Sequence, residues 1–122
     1  FSNLNIHNIN IENSLNDCLD ISVSKVNIAE SVLVSCLDKA ISIGEQSFVK
    51  VNDVEVQDSS LGIAVKDSSE VYIDKLEVIN AEICTAIYRK KQEFGPSKLS
   101  VKRLVCNPTS KAYEQLGSEY EN

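Results

Sequence analysis

Residues able to bind a polar ligand are concentrated in one segment, where Tyr88, Arg89, Lys90, Glu93 and Phe94 fall within seven positions. An aromatic ring can stack on a sugar, and charged neighbours can hydrogen-bond to its hydroxyl groups. The alternative to ligand binding is a solvent-exposed surface whose ion pairs each stabilise the fold by about 0–1 kcal/mol. With two acids from earlier repeats, the predicted ligand-binding residues are Glu45, Asp67, Tyr88, Arg89, Lys90, Glu93 and Phe94.

Two pairs of acidic residues are candidates for a catalytic centre. Glycoside cleavage needs two acids about 5–9.5 Å apart on one face. Asp53 with Asp74, and Glu55 with Glu77, lie one repeat apart, but Leu33 and Val105 flank the glutamates in their column. These acids do not form a convincing acid–base set, so catalytic residues stay unassigned and we expect no enzyme activity within these residues.

No metal or cofactor site is expected. Oxygen-ligand calcium sites need more converging carboxylates than the sequence assembles. The chain has a single histidine, His7, and no CxxC motif, which makes zinc binding improbable. His7 has no neighbouring nucleophile and is predicted to be a surface residue.

A sequence repeat predicts the strands that must position these residues. A pattern of two alternating apolar residues begins at Leu4, Val26, Val49, Val71 and Leu99, in steps of 22, 23, 22 and 28 residues. A constant period of this size indicates a solenoid, and alternation within each unit indicates strands. The long last step contains an insertion of about six residues, and insertions into solenoids commonly form binding loops.

Each repeat contains three short strands joined by connections too short for a crossover helix. Such connections can turn the chain around a triangular section, so that equivalent strands pair in parallel and equivalent residues stack. Glu45, Asp67 and Arg89 are then expected to stack at the third corner, and Asn5 and Asn27 to form an amide ladder. We predict an all-β, right-handed parallel β-helix of about five coils of 22–23 residues.

This coil pattern over residues 3–106 resembles the right-handed parallel β-helix repeats of the pectate-lyase-like superfamily. Three shorter segments resemble β-helix segments of bacterial surface-associated proteins: 38–45, 63–69 and 88–96. The resemblance implies an extracellular or cell-surface location and polysaccharide as a partner. It implies a non-catalytic module of a larger protein that binds carbohydrate or acts as a scaffold, with a fragment of a polysaccharide lyase or glycoside hydrolase as the alternative.

Composition excludes other partners. The formal net charge of −6 disfavours nucleic acids and anionic membrane surfaces, and no apolar run is long enough to span a membrane. The four cysteines are predicted to be free thiols. Cys18 and Cys84 share a column but lie three coils apart, about 14 Å, which is too far for a disulfide, and Cys106 occupies an inward position.

The two ends of the chain carry the remaining expectations. The β-helix domain is assigned to 1–106, and 107–122 to a tail that is a partial cap or disordered, with a short helical turn at 111–116. The chain begins on Phe1 and contains no Met, which suggests a fragment or processed product. Only three residues precede the first coil, so we expect end-to-end association of this fragment as a homodimer.

Overall fold

A computed structural model describes residues 2–88, 93–106, 111–116 and 119–121, with backbone only for residue 2 and the residues from 111 onward. About 80% of these described residues lie in strands and none of them lies in a helix. The described part accordingly contains no helix that is long and apolar enough to cross a membrane. The strands are β1 (Ser2–His7), β2 (Asn10–Ser14), β3 (Leu19–Ser22), β4 (Ser24–Cys36), β5 (Lys39–Gly44), β6 (Phe48–Lys66), β7 (Glu70–Tyr88), β8 (Lys98–Cys106), β9 (Lys111–Leu116) and β10 (Glu119–Glu121).

All strand pairs are parallel, and the register follows the repeat. Val26 pairs with Val49, Val49 with Val71, and Val71 with Leu99, so each strand stacks on its equivalent one coil earlier. The predicted parallel β-solenoid is confirmed, with about four turns rather than five. The first strand of the repeat occurs five times within these turns, in β1, β4, β6, β7 and β8, and we number the coils one to five by these strands. Lys111–Leu116 is a strand that pairs with the end of β7, so the predicted helical turn there is wrong.

The core consists of inward aliphatic columns along the solenoid axis. One of them contains Leu33, Val56 and Val78, all with no exposed surface. Full burial of such a side chain stabilises the fold by about 1.5–3 kcal/mol before the entropy of ordering the chain is subtracted. The first coil is less well covered, since Ile6 and Ile11 are half-buried and Leu4 is 52% exposed. The expected end-to-end dimer stays a prediction.

Small polar residues turn the chain at the corners. Asn13, Ser35, Asp58 and Asn80 have φ between 56° and 59° at equivalent positions of the second corner. Asn and Asp tolerate this left-handed region better than most side chains because they can hydrogen-bond locally. Asn80 Nδ2 also donates a 2.6 Å hydrogen bond to Asp58 Oδ1, which links two successive corners.

A ladder of buried serines closes the third corner. Ser47 Oγ accepts a hydrogen bond from the backbone N–H of Ser24, Ser69 Oγ from that of Ser47, and Ser97 Oγ from that of Ser69, at 3.1–3.2 Å. All three accepting serines are at most 2% exposed. Each hydroxyl satisfies a backbone donor of the preceding coil that would otherwise be buried without a partner. The ladder holds the first strands of coils two to five in register.

Two disulfides join neighbouring coils, so the prediction of four free thiols is wrong. Cys18 is bonded to Cys36 and Cys84 to Cys106, with Cα–Cα distances of 5.5 and 6.2 Å. The column reasoning was sound for Cys18 and Cys84, which do not bond to each other. Comparison within one column could not show that Cys18 and Cys84 each lie, across the second corner, next to a cysteine one coil further along the chain. The Cα–Cα distances of these two pairs permit disulfides.

The repeat also predicts one apolar column behind the second corner, made of Leu15, Leu37, Leu61 and Ile83, and the structure differs from it. Leu61 pairs with Lys39 and Ile83, whereas the Leu37 N–H donates to Ser14 O, which places Leu37 beside Leu15. Leu15 is 80% exposed and Leu37 66% exposed. The predicted column is therefore two separate pairs, and only Leu61 and Ile83 are half-buried.

Candidate functional site

The third corner brings together two of the predicted ligand-binding residues. Glu45 and Asp67 lie on successive coils, where the Gln46 N–H donates a 2.8 Å hydrogen bond to Asp67 O. Together with Asp20 and Lys66 they line a groove of about 200 Å³. Asp67 is only 2% exposed, so its carboxylate offers little surface to a ligand.

Tyr88 lies at the end of β7, outside the set of residues that line this groove. Burial raises the pKa of its phenol, the positive charge of Lys39 opposes that effect, and the charges of Asp38, Asp17 and Asp67 add to it. Lys39 Nζ lies 2.9 Å from Asp38 Oδ2 and 3.9 Å from Asp17 Oδ1. Tyr88 thus belongs mainly to a charged network around Lys39.

The described residues of the insertion do not line the corner groove. Glu93 is exposed and Phe94 half-buried, and neither lines it. Gly95 O accepts hydrogen bonds from Ser68 N and Ser68 Oγ, at 3.0 and 3.1 Å, which tie the end of the loop to the corner. Arg89 and Lys90 lie outside the described residues. The described residues that line this groove therefore include acids and one lysine but no aromatic side chain.

A different surface carries two half-buried aromatic rings, Phe48 and Tyr72. The outward side chains of the first strand in coils two to five, which we call the first face, come from β4, β6, β7 and β8. Phe48 and Tyr72 lie diagonally across β6 and β7 because Phe48 pairs with Glu70 and Lys50 with Tyr72. The ring centroids are 5.6 Å apart and the rings are tilted by 45°. This geometry is favourable for an aromatic pair.

Lysines and a carboxylate hold these two rings in place. Lys25 Nζ lies 5.8 Å from the Phe48 centroid and Lys98 Nζ 5.9 Å from the Tyr72 centroid, within cation–π range. The Tyr72 hydroxyl donates a 2.8 Å hydrogen bond to Glu70 Oε1. Each ring therefore has a lysine ammonium over it, and the Tyr72 hydroxyl is fixed by Glu70.

A groove of about 410 Å³ runs beside Tyr72 on the first face. Its floor includes Val51 and Ile73, and Lys102 Nζ lies 3.7 Å from Asp74 Oδ1 at its rim. The polar groups that line it are Lys50, Asn52, Tyr72, Asp74, Ser100 and Lys102. An aromatic ring, apolar patches and hydrogen-bonding groups meet here, as in most small-molecule sites.

Sequence reasoning identified only part of the first face. The predicted ladder of Asn5 and Asn27 is confirmed by a 2.9 Å hydrogen bond from Asn27 Nδ2 to Asn5 Oδ1, and the same column continues through Lys50, Tyr72 and Ser100. Sequence reasoning missed the parallel column two positions earlier, which supplies Lys25, Phe48 and Lys98. The available signal was the residue immediately before each leading aliphatic residue, which also points outward.

Acids in both carboxylate pairs have other polar partners. Asp53 Oδ1 lies 3.9 Å from Lys75 Nζ, and a register shift at Asn52 displaces Asp53 from Asp74. Glu55 does pair with Glu77, but Gln57 Nε2 donates a 2.6 Å hydrogen bond to Glu55. Across the described residues, no group of three His, Cys, Asp or Glu side chains has the arrangement needed for a metal ion.

His7 is exposed, as predicted, with Nε2 3.4 Å from Glu30 Oε2. The fold places the protein in the class of parallel β-solenoids, and the described residues include an aromatic and basic strand face. No protein-family profile, curated protein or solved structure matches the chain.

Proposed function

We propose that this protein is a non-catalytic carbohydrate-binding module of a secreted or cell-surface bacterial protein, related to the pectate-lyase-like β-helices. The observation that carries the proposal is the Phe48–Tyr72 pair beside the groove on the first face. Flat rings present a surface for sugar stacking, and the neighbouring amide, hydroxyl and ammonium groups suit sugar hydroxyls. This moves the binding site from the third corner to the first face.

The rigidity of the surface supports binding. Phe48 and Tyr72 belong to two paired 19-residue strands, β6 and β7, rather than to loops. A site on a preformed sheet loses little conformational entropy when a ligand binds.

The disulfides support the proposed compartment. Disulfides form and persist in secreted and extracytoplasmic proteins and are rare in the reducing cytosol. All four cysteines are paired here, as expected for a protein that folds outside the cytoplasm.

A non-catalytic role is supported by the state of the acids. Asp53 and Asp74 each have a lysine partner, at 3.9 and 3.7 Å, and Glu55 has an amide partner. Among the described residues that line the groove, Asp74 is the one acid. The lyase or hydrolase alternative therefore has no specific support.

A glycan array tests the proposal. The wild-type protein should bind one group of glycans, and Tyr72→Ala and Phe48→Ala should each weaken binding about tenfold through lost stacking. Tyr88→Ala, which changes an aromatic residue at the third corner, is the matched control and should leave binding unchanged. Binding lost only in Tyr88→Ala would place the site at the third corner, and absence of any binding would contradict the proposal. Ultraviolet-absorbing unsaturated products from polyuronates would identify a lyase instead.

A further inference from the structure

We infer that the second corner is a docking site for another protein, whose docking segment combines apolar side chains with lysine or arginine. The inference does not rest on the proposed carbohydrate site, which lies on the first face. It starts from Leu15 and Leu37, which at 80% and 66% are the most exposed large hydrophobic side chains among the described residues. Because the Leu37 N–H donates to Ser14 O, the two leucines lie side by side on coils one and two. Apolar side chains exposed together commonly mark an interaction surface.

The two leucines occupy an insertion that the coil does not need. From the left-handed residue of the second corner to the third strand, coils one and two have five residues, 14–18 and 36–40, whereas coils three and four have four, 59–62 and 81–84. The extra residue falls where Leu37 and Asp38 stand opposite the single residue Ser60. Since coils three and four turn the same corner without it, closing the coil does not account for the exposed leucines.

The corner holds the backbone of the leucines in place. The Asp38 N–H donates to Asn16 O at 3.3 Å, and Ser60 Oγ donates to Leu37 O at 3.1 Å. The Cys18–Cys36 disulfide joins the same two coils within this corner. The leucines therefore project from a preformed surface, which loses little conformational entropy when a partner binds.

Two grooves beside the leucines continue along the solenoid axis. One of about 240 Å³ is lined by Leu15, Leu37 and Asp58 among others, and one of about 490 Å³ by Leu37, Asp58 and Glu82 among others. Leu37 and Asp58 belong to both grooves, which together extend from coil one to coil four. At about 4.8 Å per coil this is roughly 14 Å, the length of about four residues of an extended peptide.

The charge around the grooves favours a basic partner. The exposed acids Asp58 and Glu82 line them, and no basic residue is among their described lining residues. Four acids and two lysines, a formal charge of −2, belong to the corner segments 13–18, 35–40, 58–62, 80–84 and 107–111. Of the two lysines, Lys39 already has Asp38 at 2.9 Å. A lysine or arginine of the partner can thus pair with Asp58 or Glu82 while an apolar side chain contacts Leu37.

A second copy of the chain fits this surface less well. A two-fold contact brings the same patch of both copies together, so it would place Asp58 and Glu82 close to their own equivalents. Each copy also carries a formal charge of −6, and like charges repel. A segment that is both apolar and basic can bury the leucines without this repulsion.

Selection of random twelve-residue peptides displayed on phage tests the inference. Leu37 and Glu82 lie two coils apart, about 10 Å, so the enriched peptides should carry an apolar residue and a lysine or arginine about three positions apart. Leu15→Ser and Leu37→Ser should each weaken binding of a selected peptide at least tenfold, because the peptide no longer buries a leucine. Asp58→Asn/Glu82→Gln should weaken it about fivefold and reduce its salt dependence.

The matched controls remove the same chemistry elsewhere. Val23→Ser removes an exposed apolar side chain at the third corner, and Glu30→Gln/Asp53→Asn removes two acids at the first corner, between the first and second strands. Each should change peptide binding less than twofold. The Tm of Leu37→Ser should stay within about 2 °C of the wild type, because exposed side chains contribute little to stability.

Several results would overturn the inference. They are the absence of any enriched peptide, enrichment of acidic or purely polar peptides, and peptide binding that Leu37→Ser leaves unchanged. A larger fall in Tm would assign the leucines a structural role instead. A wild-type dimer in sedimentation that Leu37→Ser dissociates would identify a second copy, rather than a basic segment, as the occupant.

Discussion

Removal of the Cys18–Cys36 disulfide should destabilise one end of the solenoid selectively. The bond closes a segment of 18 residues, almost one coil, and ties the first coil to the second. The first coil depends on this bond because its side chains Ile6, Ile11 and Leu19 are only half-buried. We therefore expect the double variant Cys18→Ala/Cys36→Ala to lose order in β1–β3 first.

The magnitude follows from chain entropy. Closing a loop of this length restricts the unfolded chain by about 3 kcal/mol at 25 °C. For a domain of this size, that loss corresponds to a Tm lower by roughly 10 °C if unfolding is cooperative. Stability in a solenoid is instead close to a sum of neighbour contacts. The loss should then appear as local opening, with exchange protection lowered about 100-fold in the coil next to the bond.

Amide hydrogen exchange read by mass spectrometry separates the two possibilities. Peptides from β1–β3 should lose protection in Cys18→Ala/Cys36→Ala, while peptides from β6 and β7 should not. The matched variant Cys84→Ala/Cys106→Ala opens the 22-residue bridge at the opposite end and should affect β8 instead. Unchanged protection in β1–β3, or an equal loss in every strand of both variants, would refute the reasoning.

Three further predictions concern single residues. Gly62→Ala should destabilise the protein by about 1–3 kcal/mol in urea unfolding because the alanine Cβ would clash with the carbonyl oxygen of Cys84. Gly44→Ala is the control and should be neutral or stabilising, since the nearest atom to its Cβ would be Lys66 Cε at 3.7 Å. Equal effects of the two substitutions on the free energy of unfolding would contradict this prediction. Val23 has a φ of 47° and is 44% exposed, so Val23→Asn should raise the free energy of unfolding by about 1 kcal/mol, and an unchanged midpoint would show that the strain is absent. Burial raises the pKa of the Tyr88 phenol in the folded protein. The stability that the protonated phenol contributes is therefore complete below the unfolded pKa of about 10 and is lost as pH rises through the higher folded pKa. The Tyr88→Phe variant should lack this alkaline loss of stability, and a stability–pH profile identical to that of the wild type would contradict the prediction.

The sequence by itself determined the coil architecture. Alternation of period two assigns residues to the inside or outside of a strand, and steps of 22 and 23 residues assign strands to coils. Both signals are local or regular, which is why the pairing of Val49 with Val71 and the Asn5–Asn27 ladder could be predicted. The serines that precede the first strands, such as Ser47 and Ser69, recur with the same period, but their hydrogen-bonded ladder was not predicted.

Only the tertiary structure decided what meets across a corner or a strand. The bonding of Cys18 to Cys36 depends on left-handed residues such as Ser35, whose turn sets the direction of the chain beyond each corner. The diagonal contact of Phe48 with Tyr72 depends on side-chain positions in two coils. The repeat spacing predicts which equivalent residues stack in one column, but it does not predict contacts between residues in different columns. The binding surface arises from such neighbours, so it became visible only once the coils were stacked.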